Sequence, residues 1–284
     1  MSAPGVADPR DRWGLLTQAE RDAAYDNRAA TPNSAALSAA RNAASAAFRA
    51  ERPEHLDLAY GRGERQKWDI YPSVDPRAPV LIFIHGGYWQ LNSRELFACL
   101  AAGALAKGLS VAMPGYSLAP GSMLSEIVAE LRAALDWLAR EGAAHGVGGP
   151  AIVSGWSAGA QLAAMTLDHP RVLAGVGISG VYELGPIRDT NLNAALNLSD
   201  QEIAQLSPLR LAPVRKPLAI AYGTAELPTL VEDARRLHAL RAAAHAPGWL
   251  LPIVGANHFT VLDALSRAEG EILAAILALA ESIR

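Results

Sequence analysis

One serine of the chain stands in a glycine frame. In Gly155-Trp156-Ser157-Ala158-Gly159 it follows the apolar run Ala151-Ile152-Val153 and precedes a helix-forming stretch. A strand that turns at once into a helix holds the residue at the bend on top of the sheet, at the helix N-terminus. Such a bend tolerates little beyond glycine at its flanks, because larger side chains would meet neighbouring backbone. A hydroxyl displayed in this way suits attack on a carbonyl carbon, provided that a base takes its proton. Ser179, in Gly177-Ile178-Ser179-Gly180, lacks the second glycine of the frame.

Seven histidines are available as that base. His55, His145, His169, His238 and His245 lie in polar, helical or loop contexts that point to no role. His258 follows the last strand-like run, in Gly255-Ala256-Asn257-His258-Phe259. The chain order serine, acid, histidine, with the histidine after the final strand, is the one a strand–turn–helix nucleophile uses. The acid then belongs after Leu218-Ala219-Ile220-Ala221-Tyr222, where Glu226 is the first carboxylate. Asp233, further into the next helix, is the alternative. The acid's task is to hold the imidazole in one tautomer and to stabilise its charged form.

The attacked carbonyl oxygen becomes negative and needs N–H donors already in place. His85-Gly86-Gly87-Tyr88-Trp89 follows another apolar strand and offers the amides of Gly87 and Tyr88; Ala158, next to the nucleophile, offers its own. Either Gly87 or Tyr88 serves as the main donor of that loop. His85 is expected to brace the loop. Trp89, Trp156, Tyr182 and Phe259, with Tyr88, are expected at the mouth of the site, as a wall for an aromatic or apolar substrate.

These residues need a scaffold. Residues 15–50 read as helices broken near Thr31-Pro32-Asn33. Short strands are expected at 56–60 and 67–71. The continuous apolar run 79–84 suits a strand buried on both faces. Helices over 93–107, 123–142, 158–168, 229–244 and 259–282 alternate with strands over 109–113, 150–154, 172–178, 217–222 and 249–254. That alternation predicts an α/β fold, a mostly parallel central sheet flanked by helices. Residues 183–215 break it and are expected to form a small helical lid insertion. The whole chain, 1–284, reads as a single α/β-hydrolase domain.

Composition narrows the function classes. Of 284 residues, 51% are hydrophobic, enough for a large core, and the net charge of -3 with no basic block argues against nucleic acid. No segment approaches the length of a membrane span, and the opening Met1-Ser2-Ala3-Pro4-Gly5 has no apolar leader core, so a soluble cytoplasmic protein is expected. The lone Cys99 cannot make an internal disulfide and reads as a small buried side chain. Gly175, Gly177 and Gly180 have dinucleotide-motif spacing, but the first two fall inside a strand and no helix follows. Neither a metal nor another cofactor is expected, and a second copy, as a homodimer, is the one macromolecular partner admitted.

With these motifs in hand, the chain resembles the arylformamidases (kynurenine formamidases), neighbours of the hormone-sensitive-lipase-like esterases. The likeness extends to Ala24-Tyr25-Asp26-Asn27-Arg28-Ala29, to Tyr116-Ser117-Leu118-Ala119-Pro120 and to the segment from Asn193 to Ser207-Pro208-Leu209. Two positions depart from the family: Trp156 stands where a histidine is usual, and Leu227-Pro228 stands where a Glu-Phe pair is usual. Both bear on the substrate rather than on the chemistry. The resemblance implies removal of a formyl group from an aromatic amine. The residues by themselves fit an amidase or a short-chain carboxylesterase equally, acting through an acyl-enzyme; a non-catalytic binding member of the fold is the third alternative.

Overall fold

The computed structural model describes residues 13–283. The opening segment read above for a leader lies outside them. Eight strands form one sheet: β1 (Leu58–Ala59), β2 (Lys67–Tyr71), β3 (Val80–Ile84), β4 (Ser110–Pro114), β5 (Ala151–Trp156), β6 (Val172–Ile178), β7 (Leu218–Gly223) and β8 (Leu250–Ile253). Their order is β1-β2-β4-β3-β5-β6-β7-β8. β1 and β2 run antiparallel, and the six from β4 to β8 run parallel.

The continuous apolar runs are explained by burial on both sides. Val80, Ile82 and Ile84 of β3 face one core layer, while Leu81 and Phe83 face the other. Three helices cover the first face: α4 (Leu124–Glu141), α5 (Ala158–Thr166) and α9 (Pro228–Ala243). In α4, Ile127, Leu131, Ala134, Leu135 and Leu138 are all buried, at the spacing of a single stripe. On the second face lie α3 (Ala101–Ala106), α10 (Asp263–Ser266) and α11 (Glu271–Ser282).

Two expected helices are interrupted. The 93–107 stretch starts as a tight three-residue-per-turn helix, Arg94–Leu100, before α3. There Arg94 is buried on Asp69 of β2 at 3.0 Å, and Asp69 also takes Arg49 at 2.9 Å. This ionic knot fastens α2 (Ser34–Ala50) to the sheet. The final helix is cut by a turn at 267–270, where the Gly270 N–H returns to the Arg267 carbonyl. Cys99 is half-buried.

The N-terminal segment is helical as expected, with α1 (Gln18–Ala23) opened by a Thr17/Glu20 capping box. The insertion after β6 contains α6 (Gly185–Arg188), α7 (Asn193–Leu196) and α8 (Asp200–Leu206), each only a turn or two long. Gly175 and Gly177 lie inside β6, and α6 starts only at Gly185, so the dinucleotide spacing has no helix to serve it. No described helix is long and apolar enough to cross a membrane.

Candidate active site

Ser157 sits between β5 and α5 with φ 58° and ψ -123°, a backbone conformation that side chains rarely adopt. The reason is space. A Cβ on Gly155 would lie 2.0 Å from the Gly159 carbonyl oxygen, and one on Gly159 would lie 2.1 Å from that of Ile84. The two glycines let the chain fold back against itself and against β3, and the serine is left at the crest.

The Ser157 hydroxyl is 3.1 Å from His258 Nε2, and His258 Nδ1 is 3.0 Å from Glu226 Oε2. With the proton on Nδ1 donated to Glu226, Nε2 is free to accept the serine proton. His258 follows β8 and Glu226 follows β7, so the three parallel strands deliver their side chains to one edge of the sheet. The Glu226 side chain is fully buried, and its other oxygen accepts from Ser179 Oγ at 2.5 Å and from the Gly223 N–H at 2.6 Å. Ser179 is thus a partner of Glu226. Asp233 lies elsewhere: buried on α9, it accepts the amides of Tyr182 and Glu183 at 2.7 and 3.2 Å and anchors the start of the insertion.

The loop after β3 passes over the serine. A Cβ on Gly86 would meet the Trp156 carbonyl oxygen at 2.5 Å. Among the described residues, the amides of Gly87, Tyr88 and Ala158 have no protein acceptor. His85 lies beneath, fully buried, stacked 4.3 Å from the Tyr116 ring and donating from Nδ1 to the Gly86 carbonyl at 3.0 Å. Burial pushes its pKa down to about 3 from 6.5, so it is a neutral brace at ordinary pH.

A cavity of about 250 Å³ opens above Ser157 and His258. Gly87, Tyr88, Leu91 and Asn92 form one side of it, with Trp156 and Phe259 beside the reacting pair. Two residues expected at its wall are not there. Trp89 is fully buried with its indole N–H on Gln161 Oε1 at 3.0 Å, because the loop's reversal at Tyr88 turns it inward. Tyr182 is fully buried under Gly177 and Gly180, whose missing side chains make room for its ring. The insertion contributes only Asn191 and Leu192 to the lining, whereas the N-terminal segment contributes Asp22, Tyr25, Asp26, Asn27, Arg28, Ser38 and Arg41. Four of these, Tyr25 to Arg28, fall in the segment 24–29 that resembles the family, but nothing in the sequence places that segment at the site. Among the described residues, no group of His, Cys, Asp and Glu is placed to hold a metal ion.

The parallel sheet and the elbow bearing Ser157 define an α/β-hydrolase. The BD-FAE family model matches residues 68–169, which span the loop after β3 and the elbow. Kynurenine formamidases of Danio rerio and Salmo salar are 27% and 28% identical to the chain, each over 74% of it and 76% of their own length. A solved structure from a Silicibacter species, named as a thioesterase candidate, is 30% identical and superimposes with a TM-score of 0.81, covering 91% of this chain and 99% of its own. The chain is an arylformamidase-like α/β-hydrolase, a hydrolase of that fold.

Proposed function

We propose that the protein is a serine hydrolase that removes a small acyl group from an aryl amide or ester through an acyl-enzyme on Ser157. The observation that carries this reading is the hydrogen-bonded chain Ser157–His258–Glu226 beneath a cavity lined by Gly87 and Tyr88. Ser157 Oγ attacks the acyl carbon while its proton passes to His258 Nε2. The resulting oxyanion lies within reach of the unpaired amides of the loop and of Ala158, the role that such donors fill best. Collapse of the intermediate breaks the bond to the leaving group, which takes the proton from His258. Water then repeats the sequence in reverse on the acyl-enzyme, and Ser157 recovers its hydrogen.

N-formyl aryl amides are the leading substrates. Support comes from the formamidase relatives and from the modest cavity, which fits a small acyl group and one aromatic ring better than a long chain. The short-chain carboxylesterase reading uses the same machinery with a better leaving group. Turnover of matched formanilides, aryl formates, aryl acetates and aryl thioesters tests the choice; thioesters belong in the panel because of the name given to the Silicibacter relative. A formanilide among the best substrates by kcat/KM supports the amidase reading. Turnover confined to esters and thioesters contradicts it.

A further inference from the structure

The loop that carries the proposed oxyanion donors is held in an unfavourable backbone. Gly87, Tyr88 and Trp89 have φ of 130°, 49° and 58°. Glycine reaches this region freely, but a bulky residue there is strained. Such a conformation persists only where the surroundings impose it. Trp89 is imposed on from inside the fold, through Gln161. The Gly86 and Gly87 carbonyls are held within the loop, by Asn92 Nδ2 at 3.0 Å and by the amides of Gln90 and Leu91.

Tyr88 is held from outside the loop. Its hydroxyl donates to the Tyr25 carbonyl at 2.6 Å and accepts from Asn27 Nδ2 at 2.9 Å. Both partners lie in the turn after α1, 63 and 61 residues upstream. That turn is itself anchored near the acid. Thr229 Oγ1, at the start of α9, donates to the Ala24 carbonyl at 2.6 Å, and the Asn191 N–H donates to Asp22 at 2.7 Å. Asn27 is only 5% exposed, and its Oδ1 has no partner among the described residues. A buried acceptor without a partner carries an uncompensated desolvation cost. A leucine of similar size would avoid that cost, so stability alone does not account for an asparagine here; its donor to Tyr88 does.

We propose that Asn27 is a positioning residue of the reaction. It holds the Tyr88 phenol, and through it the backbone of 87–88, where the amides meet the developing oxyanion. The inference rests on the reading of Ser157 as nucleophile. It makes the N-terminal segment part of the reacting apparatus as well as a wall of the pocket.

The test uses Asn27→Leu, Tyr88→Phe and the double variant on phenyl acetate, a small neutral ester. Loss of a whole oxyanion donor costs about 10²–10³ in kcat, so a loosened loop should cost roughly 10- to 50-fold. Each single variant is expected to lose that much in kcat with KM changed less than about twofold, and the double to be no worse than Tyr88→Phe alone, because that change already removes the oxygen that Asn27 holds. Affinity for an aryl trifluoromethyl ketone, a mimic of the tetrahedral intermediate, should fall by the same factor as kcat/KM. Unchanged kcat with a lower Tm, a rise in KM alone, or additive losses overturns the proposal. If Asn27→Leu does not fold, Asn27→Ala, which also removes the donor to Tyr88, takes its place with the same expected loss. Labelling of the wild-type protein by a fluorophosphonate separates the two readings. No label on Ser157 sinks the nucleophile assignment, whereas a label together with unimpaired variants sinks only the role of Asn27.

Discussion

Trp156 donates its indole N–H to the main-chain carbonyl of His258 at 2.9 Å, and its ring centroid lies 4.8 Å from that of the imidazole. Trp156 therefore ties the loop of His258 to the strand that leads into Ser157. A histidine, usual at this position in the family, is smaller and would leave part of this contact unfilled. Trp156 is also 5.7 Å from Phe97, so it joins the site to the second core layer.

Trp156→Phe should keep most of the packing and lose the hydrogen bond. A net stability loss of about 1 kcal/mol is expected, with a fall in kcat of roughly tenfold as the imidazole loses its fixed place. Trp156→Ala should cost about 3–5 kcal/mol in addition to activity. Urea melts and steady-state kinetics on one aryl ester measure both. A Trp156→Phe enzyme with unchanged kcat would show that the indole N–H only stabilises.

Ser179 and the Gly223 amide share one oxygen of Glu226 while His258 takes the other. Ser179→Ala leaves one donor on that oxygen, so kcat should fall by about tenfold. Glu226→Gln should fall much further, on the order of 10⁴, because a neutral amide cannot stabilise the imidazolium. Asp233→Asn should act on stability and not on kcat. A collapse of turnover in Asp233→Asn with normal Glu226→Gln activity would reverse the assignment of the acid.

The parts of this site that the sequence reveals are those with local causes. The elbow is visible because two glycines must flank a serine between a strand and a helix. Glu226 and His258 are visible because parallel strands bring their following loops to one edge. The N-terminal contribution is visible only as a family resemblance over 24–29 and not as part of the site, because Asn27 meets Tyr88 from 61 residues away and Trp13 meets Asp189 from 176 residues away, with no periodicity to record either. Residue type and position alone put Trp89 and Tyr182 at the mouth of the site. Whether such a ring points outward depends on backbone reversals at Tyr88 and on the space left by Gly177 and Gly180. The final helix looked continuous because its apolar spacing survives the turn at 267–270.

Acid stability should report His85. Its folded pKa of about 3 lies below the ordinary 6.5. The unfolded chain therefore binds this proton first, and the stability contributed by neutral His85 is complete above about pH 6.5 and lost progressively as pH falls towards 3. Relative to His85→Gln, the wild-type protein should lose about 1 kcal/mol more between roughly pH 6.5 and 5.5. Urea titrations at the two pH values measure this difference. Equal pH slopes would mean that His85 is solvated or charged in the folded state.

Acyl size should be limited by the cavity of about 250 Å³, with Trp156 and Leu91 among its walls. On matched aryl esters, kcat/KM should fall steadily from formyl and acetyl to octanoyl. Methylenes beyond what the cavity holds crowd its walls, and such overpacking costs about 1–3 kcal/mol. A maximum at long chains would point to a lipase-like acyl site instead.

Intact-protein mass spectrometry after treatment with a fluorophosphonate decides whether Ser157 is the nucleophile. The wild-type protein should gain one phosphonyl group, mapped by peptide fragmentation to Ser157. Ser157→Ala should gain none and should lose activity by a factor on the order of 10⁶. Phosphonylation of another residue, or a Ser157→Ala variant that keeps more than about a hundredth of wild-type turnover, far above the residue expected of a knocked-out nucleophile, would contradict the account.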